Sequence, residues 1–352
     1  MPGRSVWGDE KPDPGGTMNR ISWLAAGGLA SCGAVRLAGA DRCGRVEAAA
    51  VPLLAFTPHV AVAALLGSLL LRRRGPAATA ALTGIALAAV TAPRGIRQPQ
   101  PRADGPVLRV ITANLLKGKA SAEAVVCLVR RQSADVLFLQ ELTESAVSRL
   151  KQAGLTDLLA HEMTDFEGPS ARGRGIYARF PLTEGLDLGP ADTAQLTARL
   201  ELPGGEQADL VCVHASRPRP PWSRANTAWW RKELAALPTP AGSAADPPRV
   251  LAGDFNASVD HVHFRRVLRR GHADAAGQLG HGLIPTWGPE PQGRPALLTI
   301  DHVLVDPGCA VRAVSVHPLP GSDHRAVYAE FRLPGWYTAG SGSPRGSGWT
   351  TP

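Results

Sequence analysis

An aspartate and an asparagine lie two residues apart at the end of an apolar run, in the segment VLAGDFNASVD at 250–260. The run Val250-Leu251-Ala252 is typical of a buried strand. Residues two apart on a strand point to the same face, so Asp254 and Asn256 are expected to face one site. A carboxylate can orient and deprotonate water, and a carboxamide can donate to a developing oxygen anion. The pair indicates hydrolytic chemistry at a strand end.

Other polar side chains also stand where a predicted strand ends or a loop begins. The segments VLRVITANLLKG, ADVLFLQEL, ADLVCVHASRP, LLTIDHVLVD and LPGSDHRAVYAEFRL carry Asn114, Glu141, His214, Asp301, Asp323 and His324. Taken singly, such residues are ordinary turn formers, helix-start carboxylates or buried histidines. Their succession along the chain instead predicts a layered α/β fold whose strands hold an active site.

With these segments, residues 107–333 resemble the endonuclease/exonuclease/phosphatase superfamily, which includes deoxyribonucleases, abasic-site endonucleases, sphingomyelinases and inositol-phosphate phosphatases. Further matching segments are RGIYARFPL (174–182), WWRKELAAL (229–237) and PTWG (285–288). The resemblance implies an α/β fold, a four-layer sandwich of two mainly antiparallel β-sheets flanked by helices. The chain departs from the family at Ala178, where Ser is frequent, and after the histidine of HASRP. Neither departure removes a catalytic group.

The resemblance implies metal-dependent hydrolysis of phosphoesters. Glu141 is the expected principal ligand of Mg²⁺, with Mn²⁺ as the alternative ion, because Mg²⁺ prefers carboxylate oxygens and keeps several waters. Asn114 is expected to be a second oxygen ligand or to position the substrate. Asp323 is expected to hold a second metal or to tune the first. The ion would polarise the phosphoryl group as a Lewis acid.

Five residues are the candidate catalytic residues: His214, Asp254, Asn256, Asp301 and His324. Asp254 is expected to activate the attacking water and Asn256 to donate to a phosphoryl oxygen. His324, oriented by Asp301, either binds phosphate or acts as the base. His214 either contacts phosphate or protonates the leaving oxygen.

Two basic segments are candidates for contacts with an anionic ligand. The loop HEMTDFEGPSARGRG (161–175) places Arg172 and Arg174 where they could bind substrate phosphate. The segment HVHFRRVLRRGH (261–272) predicts an amphipathic helix. Its outer arginines are explained either as a solvated face, which is favoured, or as a patch for an anionic substrate or headgroup.

Charge is unevenly distributed along the 352 residues, whose formal net charge is +8. Residues 1–106 contain 12 Lys/Arg and 6 Asp/Glu, whereas residues 107–352 contain 26 and 24. A nucleic-acid-binding face usually has its own excess of cations, so the near-neutral segment argues against tight DNA binding without excluding it. The five cysteines show no metal or disulfide spacing and are interpreted as small buried hydrophobes.

The N-terminal third predicts a membrane region. A disordered leader (1–20) precedes three apolar stretches within 21–92, at 21–40, 51–71 and 77–92, which predict two or three transmembrane helices. The uncharged stretch 51–71 is the strongest, because its 21 residues can span a bilayer. A linker at 93–106 then leads to the catalytic domain, 107–333, and a disordered tail, 334–352.

Two function classes compete. The favoured one is a multi-pass cell-membrane phosphatase or pyrophosphatase acting on a lipid-linked or envelope phosphate. Its catalytic domain is expected outside the cytoplasm, because three spans would leave Arg72–Arg74 inside. The alternative is an extracellular nuclease cleaving DNA or RNA. A degenerate, binding-only domain is disfavoured because the set of predicted catalytic residues is complete. No obligate protein partner is inferred.

Overall fold

The computed structural model describes residues 14–42, 46–166, 173–188, 195–218, 224–243, 246–289 and 295–335. The chain divides into two compact units, Met1–Ala92 and Pro93–Pro352. The predicted leader, 1–20, overlaps the first helix from Pro14 onward, and the rest of it lies outside the described residues. Most of the predicted tail, 334–352, also lies outside them.

The described part of the first unit is mainly helical. Its helices are α1 (Pro14–Ala38), α2 (Glu47–Leu54), α3 (Thr57–Leu70) and α4 (Arg74–Thr91). Two segments, Thr17–Ala38 and Arg74–Gly95, are long and apolar enough to cross a membrane. Large apolar side chains such as Leu24, Leu69 and Leu82 are exposed on the surface of this unit. Such outward-facing apolar surface fits a lipid environment.

The stretch predicted as the strongest span, 51–71, is bent rather than continuous. Helices α2 and α3 meet at an angle of 68°. Pro58, near the start of α3, lacks the N–H that would continue the ladder, and the Thr57 hydroxyl donates to the Leu54 carbonyl at 2.7 Å instead. The pair counts as a third span only if both helices are taken together.

The second unit contains twelve strands and six helices within the described ranges. The strands are β1 (Val107–Asn114), β2 (Val136–Leu142), β3 (His161–Asp165), β4 (Gly173–Ala178), β5 (Leu182–Glu184), β6 (Leu196–Glu201), β7 (Gln207–His214), β8 (Arg249–Asp254), β9 (Ala273–Asp274), β10 (Asp301–Val305), β11 (Ala310–Pro318) and β12 (Arg325–Arg332). The helices are α5 (Ala122–Gln132), α6 (Glu144–Gln152), α7 (Leu155–Leu158), α8 (Arg224–Ala236), α9 (Val262–Arg269) and α10 (Ala275–Gln278).

These strands form two six-stranded sheets, in the orders β11-β12-β1-β2-β4-β3 and β5-β6-β7-β8-β10-β9. Each sheet has one parallel pair, β1 with β2 and β7 with β8, and its other pairs are antiparallel. The predicted architecture of two mainly antiparallel sheets is therefore confirmed.

Successive side chains of a strand point to opposite faces of its sheet, so each sheet packs against a separate core on each face. In β1, Val110 belongs to the core between the sheets, and its neighbour Ile111 belongs to a second core that includes α5 residues such as Val125. On the second sheet, Trp230 of α8 and Phe264 of α9 are fully buried. Both faces of each central strand are covered, so these strands are almost continuously apolar.

The segment predicted as a linker, 93–106, makes specific contacts within the second unit. Arg94 forms a salt bridge with the buried carboxylate of Asp260 at 2.5 Å. The backbone of Arg97 forms an isolated antiparallel β-bridge with Leu279. The side-chain oxygen of Gln100 accepts a hydrogen bond from the backbone N–H of Val311 at 2.8 Å. This segment therefore packs on the catalytic unit.

Candidate active site

Three predicted catalytic residues lie side by side on the second sheet. The parallel register of β7 and β8 pairs His214 with Asp254, and the antiparallel register of β8 and β10 pairs Asp254 with Asp301. Paired residues on neighbouring strands direct their side chains to the same face. The strand termini therefore deliver an imidazole and two carboxylates together.

The close approach of β7 and β8 explains the glycine of the GDFN segment. A Cβ at Gly253 would collide with the Val213 backbone, including its carbonyl oxygen. Glycine therefore allows Asp254 to reach its place in register with His214.

The first sheet and the loop before β12 supply four further groups. Asn114 ends β1, Glu141 lies within β2, and Asp323 and His324 immediately precede β12. These three strands are neighbours in the order β12-β1-β2. Side-chain hydrogen bonds join the two sheets here, from Asn114 to Asp254 at 3.2 Å and between His324 and Asp301 at 3.0 Å.

Asp254 is the most densely hydrogen-bonded carboxylate of the site. It is buried and accepts from the Asn114 side chain at 3.2 Å and from the Asn256 backbone at 2.8 Å. The Asn256 side chain donates to the same carboxylate at 3.2 Å and to the Ala215 carbonyl at 2.8 Å. Both amide hydrogens of Asn256 are thus used within the protein, so Asn256 orients Asp254 here rather than presenting a donor to a phosphoryl oxygen.

His324 is held between three carboxylates. Its Nδ1 lies 3.0 Å from both oxygens of Asp301. Its Nε2 lies 3.7 Å from Asp254 and 3.9 Å from Asp323. Asp301 therefore fixes the ring orientation and leaves Nε2 facing the centre of the site.

Burial and mutual charge shift the pKa values of this group. Burial alone would lower the pKa of His324, but the charges of Asp301 and Asp254 outweigh it and raise that pKa above its ordinary value. Burial raises the pKa of Asp254, while His324 opposes the rise and Asp301 adds to it. A carboxylate with a raised pKa is better matched to general-base catalysis near neutrality.

Glu141 has an unusual backbone conformation. Its φ is +52°, in the left-handed region, and the pairing of β2 with β4 is irregular between Leu139 and Leu142. Its carboxylate accepts from the Lys117 backbone at 2.8 Å and lies 4.0 Å from Nε2 of His214. Strained backbone of this kind is concentrated at functional sites. The bulge presents the partly exposed carboxylate beside the strand termini.

The side chains fit a divalent cation. Asp323 has one buried oxygen, Oδ1, without a hydrogen-bond partner in the structure, although its Oδ2 accepts from the Trp287 indole at 2.9 Å. The donors are mainly carboxylate and amide oxygens, which Mg²⁺ and Mn²⁺ prefer. The tightest candidate cluster is Asp254, Asp301 and His324, whose ligand atoms lie within 4.8 Å of one another. It differs from the predicted ligand set of Glu141, Asn114 and Asp323.

Of the two predicted substrate-binding arginines, only Arg174 belongs to the described residues. Arg172 lies outside the described residues. Arg174 is buried in β4, and its guanidinium pairs with Asp165 of β3 at 3.0 Å. All six residues of β4 are buried, so Arg174 does not face an open cleft.

Three supporting residues were given no role from the sequence. The Thr286 hydroxyl accepts from the backbone N–H groups of Ile300 and Asp301, each at 3.1 Å. The Ser322 hydroxyl donates to the Asn114 carbonyl at 2.7 Å, and Trp287 donates to Asp323. All three residues lie in the quoted segments PTWG and LPGSDHRAVYAEFRL, but only the folded geometry reveals their partners.

Comparisons with known proteins agree with this architecture. Residues 111–324 match the model of the Endonuclease/Exonuclease/phosphatase family. A solved endonuclease/exonuclease/phosphatase from Beutenbergia cavernae DSM 12333 is 22% identical, with a TM-score of 0.50 over 65% of this chain and 72% of that one. Humanized D. rerio TDP2 is 19% identical, with a TM-score of 0.50 over 64% and 99%. Both are likenesses of fold. A search of curated proteins found no match.

Proposed function

Because this chain belongs to the endonuclease/exonuclease/phosphatase family of metal-dependent phosphoester hydrolases, we propose that it is a membrane-tethered phosphatase or pyrophosphatase acting on a lipid-linked phosphate. The observation that carries the substrate class is the pair of helices apolar enough to cross a membrane. A tethered enzyme meets lipid substrates in the plane of the bilayer. The near-neutral charge of residues 107–352 also favours a substrate other than a nucleic acid.

In this mechanism Asp254 is the general base. The donors from Asn114 and Asn256 fix its carboxylate, which takes a proton from the attacking water as the water oxygen bonds to phosphorus. The bond from phosphorus to the leaving oxygen then breaks. Asp254 keeps the proton from the water, and His214, in register beside Asp254, donates a ring proton of its own to the leaving oxygen.

His324 stabilises negative charge on the phosphoryl group. Asp301 holds its Nδ1, and the raised pKa keeps the ring cationic near neutrality. The Nε2–H is thus available to a phosphoryl oxygen, which would enter between Asp254 and Asp323.

Glu141, Asn114 and Asp323 would hold the divalent ion. We prefer them to the tighter cluster because Asp301 is already bonded to His324 through both carboxylate oxygens. When bound, Mg²⁺ or Mn²⁺ would act as a Lewis acid that neutralises charge on the phosphoryl oxygens.

The substrate class can be tested with the full chain reconstituted in lipid nanodiscs with Mg²⁺. Polyprenyl pyrophosphate and supercoiled plasmid would be supplied in parallel, to wild type and to Asp254→Asn. We expect phosphate release from the lipid, loss of that release in the variant, and no nicking of the plasmid. Nicking without lipid turnover would identify a nuclease and overturn the proposed substrate class.

A further inference from the structure

Helix α8, in the segment WWRKELAAL, carries two buried polar side chains that the proposed mechanism does not use. Trp230 and Glu233 are three positions apart, so they lie on one face of the helix. Trp230 is fully buried and Glu233 is only 8% exposed. A carboxylate is costly to bury unless hydrogen bonds satisfy it, so the partners of Glu233 indicate its role.

Glu233 binds the chain directly after β7, the strand that ends at His214. Its Oε2 accepts from the backbone N–H of Ser216 at 2.6 Å, and its Oε1 accepts from the Ser216 hydroxyl at 3.0 Å. The indole of Trp229 also donates to Oε1, at 2.9 Å. Hydrogen bonds to an ionised acceptor are stronger than those between neutral groups. Glu233 therefore fixes the backbone two residues beyond the catalytic histidine.

Ala215 connects this fixed segment to the general base. It immediately precedes Ser216, and its N–H donates to the backbone carbonyl of Asp254 at 3.0 Å. Its own carbonyl accepts from the Asn256 side chain at 2.8 Å. Asn256 in turn donates to the Asp254 carboxylate, from its backbone at 2.8 Å and from its side chain at 3.2 Å. The orientation of the base thus depends on the position of Ala215.

Trp230 makes a second contact from α8 to the same part of the site. Its indole donates to the carbonyl of Phe255, at 3.2 Å, and Phe255 lies between Asp254 and Asn256 in the chain. Asn256 has a left-handed backbone, with a φ of +46°, which non-glycine residues seldom adopt. One face of α8 therefore holds both the segment that carries the base and the segment that orients it.

We propose that Glu233 is a positioning residue for phosphoester hydrolysis, which holds the turn after β7 so that Asn256 can orient the Asp254 carboxylate. The proposal rests on the assignment of Asp254 as the general base in the proposed function, and it is independent of the leaving group. The residues proposed to hold the ion belong to the first sheet and the loop before β12. Loss of Glu233 should therefore affect the base rather than the Mg²⁺ requirement.

Steady-state hydrolysis of a chromogenic phosphoester by the full chain in nanodiscs tests this role. Glu233→Ala should lower kcat about 10- to 100-fold, because a small displacement of a catalytic group is enough for such a loss. KM and the half-saturating Mg²⁺ concentration should stay near those of wild type. Glu233→Gln keeps an oxygen that can accept from the Ser216 N–H, and it should recover most of the rate. Glu233→Asp keeps the charge but withdraws the carboxylate, and it should lower kcat as the alanine variant does.

The matched control removes another buried carboxylate that accepts from backbone N–H groups. Asp306 accepts from Ala241 and Arg249, at 2.9 and 3.0 Å, and Arg249 begins β8 whereas Asp254 ends it. Asp306→Ala should lower the unfolding temperature but leave kcat near wild type, when rates are measured well below that temperature. Equal losses of kcat in Glu233→Ala and Asp306→Ala would show a merely structural effect and overturn the proposal.

A double-mutant cycle tests the route through Asn256. In an Asn256→Ala background, Glu233→Ala should lower kcat no more than about threefold further, because residues on one route are not additive. Losses that multiply in full would overturn the proposal. A strong loss in Asp254→Asn with an unchanged Glu233→Ala would overturn this proposal alone, whereas full activity in Asp254→Asn would refute the general base on which it rests.

Discussion

The salt bridge between Arg94 and Asp260 gives the sharpest structural prediction. The two side chains are 10% and 0% exposed, and both terminal guanidinium nitrogens, Nη1 and Nη2, donate to the carboxylate. Arg94→Ala would leave the Asp260 carboxylate buried without this partner. Removing one member of a buried ion pair costs about 3–5 kcal/mol, a large part of a stability of about 5–15 kcal/mol.

The destabilisation should be concentrated around the loop that follows the GDFN segment. The His261 amide donates to Ser258, and the Arg265 amide donates to His261, so exchange of these amides reports opening of the loop and the start of α9. In Arg94→Ala we expect their exchange to accelerate by two or more orders of magnitude, as about 3 kcal/mol implies.

Two further variants test whether the faster exchange comes from loss of the Arg94–Asp260 ion pair. Arg97→Ala removes an exposed arginine from the same segment and should leave the exchange near that of wild type. Arg94→Ala/Asp260→Asn removes the buried charge along with its partner and should recover part of the loss. If Arg94→Ala behaves like Arg97→Ala, residues 93–106 are only a linker and the reasoning is refuted.

Two other predictions concern the geometry around Asp301. In chelator-treated protein, His324 binds its proton more tightly in the folded than in the unfolded state, because its pKa is raised on folding. Its contribution to the free energy of unfolding is therefore present below pH about 6.5 and is lost as pH rises through the raised pKa. Asp301→Asn should flatten this alkaline decline in thermal stability, and an unchanged profile would contradict the assigned ion pair. Thr286→Val should cost about 2–6 kcal/mol, since it leaves the N–H groups of Ile300 and Asp301 unpaired at about 1–3 kcal/mol each. Thr286→Ser keeps the hydroxyl, and equal free energies of unfolding for the two variants would exclude this role.

Much of the second unit was predictable because its strands are apolar runs that end in polar residues. The sequence predicted candidate groups at strand ends, namely Asn114, Glu141, His214 and Asp254. The structure brings these residues together at one end of the central strands of the two sheets. That inference needs only the periodicity of a strand and the position where it stops.

The remaining features depend on contacts that no local pattern encodes. Arg94 and Asp260 are 166 positions apart, so the segment 93–106 resembles a linker when its composition alone is considered. The left-handed backbone of Glu141 arises from a bulge in its strand pairing. The break in the stretch 51–71 could have been predicted from Pro58, because a proline interrupts the helix even where the absence of charge favours a continuous membrane span.

The most direct test of the account measures the rate of hydrolysis of a chromogenic phosphoester as a function of Mg²⁺ concentration. Wild type, Glu141→Gln and Asp254→Asn would be compared as full chains in nanodiscs. Glu141→Gln should require more Mg²⁺ and recover activity at high concentration, because it weakens the ion site. Asp254→Asn should lower the maximal rate at every Mg²⁺ concentration, by about 100-fold or more, because it removes the base. Full activity in Asp254→Asn, or a rate independent of divalent ions, would contradict the account.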